Sequence, residues 1–210
     1  MRRIRNIIIL ICTAVCLIIA VPSDSVAVAR SLNQQTTFLN ELAKDTWTYL
    51  ISPDATSNHL PWSWYSPTLS GGDYSNTTEI GLYMLSYIGA YEMGQTWKPS
   101  LAIVQTEITA VLDQLRAWQT GSQPQVPNGP NAYNNSVFYQ WYWINQNPPV
   151  VGAGSGDHVV PSIDNAFLAA SLITVREWAE AKGYSTLAAK ADAILQDMDF
   201  MLWYVSAQHR

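Results

Sequence analysis

Two segments of this chain are apolar on nearly every side of a helix, and three others are apolar along a single stripe. An amphipathic helix covers a core with one face, whereas a helix apolar all round has to be enclosed by neighbours. Residues 32–51 carry Leu39, Ala43, Trp47 and Leu50 on one stripe. Residues 77–93 are broadly apolar, with Ile80, Leu82, Tyr83, Met84, Leu85, Tyr87, Ile88 and Tyr91. A third helix is expected from Pro99, a favoured first helical position, with Leu101, Val104, Ile108, Val111, Leu115 and Trp118 spaced by threes and fours. Residues 162–181 are again broadly apolar, and residues 186–205 return to one stripe of Leu187, Ala191, Ile194, Met198 and Met201. The order reads outer, inner, outer, inner, outer.

The connections follow the same asymmetry. Inner-to-outer links are short and open on Gly94 and Gly183, which suit helix C-termini. Outer-to-inner links, residues 52–76 and 121–161, are long and rich in Pro, Gly, Asn and aromatics. Loops of that length in a compact domain usually serve a function. Both must emerge at the end where the inner helices begin. The expected fold class is therefore all-α, a partial α/α toroid of alternating inner and outer helices with aromatic loops at one end. A helical bundle with decorated loops is the plainer alternative.

Residues 1–29 read as a secretory signal peptide. Arg2, Arg3 and Arg5 precede an apolar run from Ile7 to Val21, and Ala27-Val28-Ala29 supplies the small residues of a cleavage site before Arg30. The run is shorter than the ~20 residues that span a bilayer comfortably, so no stable membrane insertion is expected after cleavage. Cys12 and Cys16 both leave with it, so residues 30–210 hold no thiolate metal site. Cleavage removes three of the 11 basic and one of the 16 acidic residues, a net of about −7 that disfavours nucleic acid. The expected location is secreted or cell envelope.

Three segments in order carry a resemblance: Asn76-Thr77-Thr78-Glu79-Ile80-Gly81-Leu82-Tyr83, then Phe138-Tyr139-Gln140-Trp141-Tyr142, then Pro161-Ser162-Ile163-Asp164-Asn165-Ala166-Phe167-Leu168-Ala169. With Met198-Asp199-Phe200 near the end of the fifth helix, they resemble the bacterial glucoamylase-like domains, including relatives of the endo-β-1,2-glucanases. The resemblance runs over about Thr46 to Tyr204 and implies an (α/α)6 toroid, of which this chain would be the N-terminal half. It also implies carbohydrate chemistry centred on Asp164.

Glycoside hydrolysis needs two carboxyl groups flanking the scissile bond. Glu79 and Asp164, each in the first turn of an inner helix, are the expected catalytic pair. Each also has a structural reading: Asn76 and Glu79 have capping-box spacing, and Asp164 suits a helix N-terminus. Asp73 and Asp157 are lesser candidates. Sugar rings lie flat on aromatic faces, so Trp62, Trp64, Tyr65, Trp141, Tyr142 and Trp143 are expected to bind substrate, with Asn76 and Asn165 offering amides. Strand alternation sends Trp141 and Trp143 to one face and Tyr142 to the other. Asp157-His158 is the one metal corner in a chain with 3 His, and no metal or cofactor is expected. No G-x-S-x-G, H-E-x-x-H or nucleotide-binding glycine motif occurs. The leading expectation is a secreted glycoside hydrolase acting on a β-glucan-like polysaccharide. Its alternatives are a non-catalytic polysaccharide-binding envelope protein and a fragment of a larger enzyme with a missing C-terminal half.

Overall fold

A computed structural model describes residues 32–53, 55–64, 74–121, 132, 136–147, 149–152 and 159–203. The expected leader therefore lies outside the described residues. The chain divides into two units, Met1–Leu39 and Asn40–Arg210, with the boundary inside helix α1 (Leu32–Leu50). The described part of the first unit is the opening of that helix, and all other elements belong to the second. Among the described residues no helix is long and apolar enough to cross a membrane.

After α1 come a short hairpin, β1 (Thr56–Ser57) with β2 (Leu60–Pro61), and a strand β3 (Tyr74–Ser75). Helix α2 (Thr77–Glu92) begins where Asn76 accepts a hydrogen bond from the Glu79 N–H at 2.9 Å. Helix α3 (Leu101–Thr120) begins two residues after Pro99, because the Ser100 hydroxyl caps it by accepting from the Ile103 N–H at 3.3 Å. Strands β4 (Tyr142–Trp143) and β5 (Val150–Val151) precede helix α4 (Ser162–Lys182), and α5 (Ser185–Asp197) follows directly. Gly94 and Gly183 open the short links at φ of 67° and 82°, in the left-handed region that glycine enters without penalty.

The fifth helix is shorter than its apolar stripe predicts. Asp199 interrupts it, donating its N–H to Ser136 Oγ at 2.6 Å and accepting at its own carboxylate from Met201 N–H at 2.8 Å. A separate 3-10 turn, Phe200–Trp203, follows, and Met201 falls off the stripe and is exposed. Of the stripe expected on α1, Trp47 is buried with its ring edge-on to Tyr87, whereas Leu39 is exposed.

Helix α2 packs on α4, each is flanked by its successor, and the outer helices α3 and α5 pack on each other. The inner pair is buried on that side through Ile80, Met84, Leu168 and Leu172. Its other side is open: Leu82, Ile163, Phe167 and Ile173 are 49%, 69%, 53% and 45% exposed. The two helices that are apolar all round are thus enclosed on one flank only, as a partial ring requires.

The long loops do emerge together. Strand β3 from the first pairs antiparallel with β4 from the second, Tyr74 opposite Trp143 and Ser75 opposite Tyr142, and β5 adds to the far edge of β4. The α2–α4 contact leaves no room for a side chain at Gly81. A Cβ there would stand 2.6 Å from Ser171 Oγ, 3.0 Å from Ser171 Cβ and 3.4 Å from the Leu168 backbone. Gly81→Ala is accordingly expected to destabilise the fold by about 1–3 kcal/mol, the cost of overpacking a tight interface. Chemical denaturation checks this, and an unchanged midpoint would show that the helices do not meet at this point.

Candidate functional site

The first turns of α2 and α4 lie side by side, and both carry a carboxyl at the third helical position: Glu79 on α2 and Asp164 on α4. On α2 the capping box is complete. Asn76 Oδ1 accepts from Glu79 N–H, and Glu79 Oε2 accepts in return from Asn76 N–H at 3.1 Å. The same Oε2 also accepts a hydrogen bond from the Ser63 hydroxyl in the first loop.

Asp164 is used differently. The residue capping α4 is Pro161, which has no N–H to offer a carboxylate and makes no side-chain cap. Asp164 reaches across instead, its Oδ1 accepting from Thr78 Oγ1 at 2.7 Å. One hydroxyl therefore joins the N-termini of the two inner helices, and it comes from the residue next to Glu79.

Burial raises the Glu79 carboxyl above its ordinary value, the hydrogen bonds from Ser63 and Asn76 oppose that rise, and the nearby Asp164 charge adds to it. The group thus holds its proton to a higher pH than an ordinary glutamate.

The aromatic residues separate into two sets. Tyr142 is fully buried and stacks on Trp118 of α3, ring centroids 3.8 Å apart and 11° from parallel. Its hydroxyl accepts from Tyr139 N–H at 3.0 Å. It is a core residue, which removes it from the expected substrate-binding set. Trp141 and Trp143 point the other way and are half-buried, as the alternation predicts. Tyr74 of β3 meets both edge-on, at 4.9 and 6.2 Å. Trp64 is exposed and Trp62 half-buried, with the indole N–H of Trp62 buried and unpartnered among the described residues. Tyr65, Asp73, Asp157 and His158 lie outside the described residues.

Asn165 also departs from expectation. It is fully buried, and its amide is consumed by the backbone: Oδ1 accepts from Phe138 N–H at 2.8 Å, while Nδ2 donates to Phe138 O at 2.9 Å and Pro161 O at 2.8 Å. An amide so employed cannot read a sugar hydroxyl; it fastens the second loop to the start of α4. Ser63, Thr78 and Tyr74 are not among the expected site residues. Their only signals in the sequence are positional, Ser63 between two tryptophans, Thr78 inside the capping box, and Tyr74 just ahead of it.

Glu79 and Asp164 are each half-buried. Two concavities among the described residues lie away from the pair, one between α4 and α5 around Arg176 and Asp192, the other beside the β1–β2 turn around His59 and Asp113. His59 is paired with Glu107 at 2.8 Å. Among the described residues no cluster of His, Cys, Asp and Glu could hold a metal ion.

This is the fold of the glucoamylase-like (α/α)6 toroids, with five α-helices among the described residues. A candidate glucoamylase from Bacteroides fragilis superposes with a TM-score of 0.63 at 15% identity, over 90% of this chain and 41% of its own. An endo-β-1,2-glucanase from Chitinophaga pinensis, solved with sophorotriose and glucose, gives 0.58 at 14% identity, over 80% and 38%. A candidate glucoamylase from Bacteroides caccae gives 0.59 at 12%, over 83% and 39%. The chain thus spans about two-fifths of the length of these structures. No protein-family model and no curated protein sequence matches it.

Two substitutions probe the site. Glu79→Gln keeps an acceptor for the capping box and removes the buried charge. A carboxyl raised in the folded state contributes most stability below its unfolded value and loses it as pH rises through the folded one. The variant should therefore gain stability relative to the native chain between about pH 4 and about pH 7. Denaturation at both pH values tests it, and a variant that loses ground on the way to neutrality would make Glu79 a favourably charged cap. Asn165→Ala leaves the Phe138 N–H and C=O unpaired and should cost about 3 kcal/mol; a loss below about 1 kcal/mol would mean that the loop is held by other contacts.

Proposed function

We propose that this chain belongs to an exported carbohydrate-active protein in which Glu79 and Asp164 form a carboxyl pair acting on a β-glucan-like chain. One observation carries the reading: two carboxyl groups stand in the first turns of adjacent inner helices, Asp164 accepting a hydrogen bond from Thr78, the residue next to Glu79, and their surroundings differ. Glu79, raised by burial, is the general acid; its proton goes to the glycosidic oxygen as the bond to the anomeric carbon breaks. Asp164 is the second carboxylate, serving the anomeric carbon on the opposite face, and its separation from Glu79 in the substrate complex fixes the stereochemical outcome. The Tyr74, Trp141 and Trp143 cluster, together with Trp64, supplies aromatic surface for sugar rings. The neighbouring folds of glucoamylase and endo-β-1,2-glucanase type support the substrate class.

A second reading has its own support. The inner helices expose Leu82, Ile163, Phe167 and Ile173. The described surface then binds polysaccharide without cleaving it, and that apolar side is covered by further helices of the same ring. The exported protein should release reducing sugar from soluble β-glucans, and Glu79→Gln and Asp164→Asn should each lower kcat by about 10²- to 10⁴-fold while retaining binding. Release undiminished by both substitutions would remove the pair from the mechanism. Binding without release selects the second reading, and the absence of both in a folded sample would overturn the carbohydrate assignment.

A further inference from the structure

We infer that Ser63 is a positioning residue for Glu79: its hydroxyl fills the last acceptor direction on Oε2 and so assigns the acid proton to Oε1. The inference rests on the catalytic reading of Glu79. A carboxyl oxygen has two lone-pair directions. On Oε2 one is taken by the Asn76 N–H at 3.1 Å and the other by the Ser63 hydroxyl. Oε1 has no hydrogen-bond partner among the described residues. A capping box alone would leave Oε2 half-used and let the two oxygens compete for the proton.

The geometry needs no rearrangement when the proton moves. An ionised carboxylate accepts from both donors at Oε2. With the proton on Oε1, Oε2 is still a carbonyl-type acceptor for the same two donors. The proton is thus carried and released from one defined edge, the condition for a general acid aimed at one oxygen of the substrate.

Ser63 is itself held. Its N–H donates to Tyr74 O at 2.9 Å, and the preceding Trp62 N–H donates to Ala55 O at 2.8 Å. The segment is therefore strapped between β3 and the start of the β1–β2 hairpin, with Trp62 and Trp64 on either side of the serine. The contact ties the acid to the loop that carries an exposed aromatic ring.

The test is a carboxyl-carbon NMR titration of Glu79 in the whole chain, native and with Ser63→Ala or Ser63→Thr, alongside pH profiles of reducing-sugar release. Losing a donor to the anion should move the Glu79 titration upward in Ser63→Ala, and Ser63→Thr, which keeps the hydroxyl, should restore it. In the alanine variant kcat should fall about tenfold with KM little changed, and the alkaline limb of the profile should move up with the titration. A Ser63→Ala chain that is less stable but titrates Glu79 as the native one does would overturn the inference. So would a threonine variant that behaves like the alanine one. If the native chain releases no sugar, the titration still decides the role of Ser63, while the catalytic reading of Glu79 fails separately.

Discussion

The contact between α2 and α4 at Gly81 sets the rest of the arrangement. With no side chain at that position, the Ser171 hydroxyl and the Leu168 backbone can approach α2 directly. The first turns of the two helices are then near enough for a threonine hydroxyl to bridge them, at 2.7 Å from Thr78 to Asp164. The capping box fixes where α2 begins, and Gly81, two residues beyond Glu79, faces α4. One glycine and one cap together decide that two carboxyls from distant parts of the chain share an end of the molecule.

The loops above that end are held from below by α3. Trp118 stacks on Tyr142 and donates its indole N–H to Pro149 O at 3.0 Å, so one side chain supports both β4 and the approach to β5. The next residue, Gln119, is buried and donates to Ser136 O at 2.8 Å and Ile194 O at 3.1 Å. On the other side Asn165 grips Phe138 by both backbone groups. Long loops carry many backbone groups that need partners once covered, and here buried Trp, Gln and Asn side chains supply them. Trp141, Trp143 and Tyr74 are left facing outward because Tyr142, between the two tryptophans, is anchored inward.

What was legible in the sequence was periodic. Helical repeat and polarity gave five helices, the inner identity of α2 and α4, and the emergence of both loops at one end, because burial imprints itself at every third or fourth residue. Alternation likewise separated Tyr142 from Trp141 and Trp143. What was not legible depended on pairings across the chain. Asn165 has the chemistry of a sugar-binding amide, and nothing local shows that Phe138 consumes it. α5 stops at Asp197 within an apolar stripe, and the Ser136 hydroxyl that holds the Asp199 N–H just beyond it is distant in sequence. Ser63 and Thr78 are ordinary polar residues until the fold sets them against Glu79 and Asp164.

The two carboxyls occupy equivalent helical positions, yet different constraints account for them. Glu79 completes a cap that glutamine would complete as well. Glutamine would do so without the burial penalty that raises this acid, so capping explains an acceptor at position 79 but not an ionisable one. Asp164 faces the reverse situation: Pro161 denies it the reciprocal capping bond, and its carboxylate turns to the neighbouring helix. Each residue therefore has a feature that its structural role leaves over, a costly ionisation on Glu79 and a carboxylate on Asp164 that no cap requires. Acid–base chemistry at a glycosidic bond uses that combination, one carboxyl whose surroundings favour the proton and a second held close beside it.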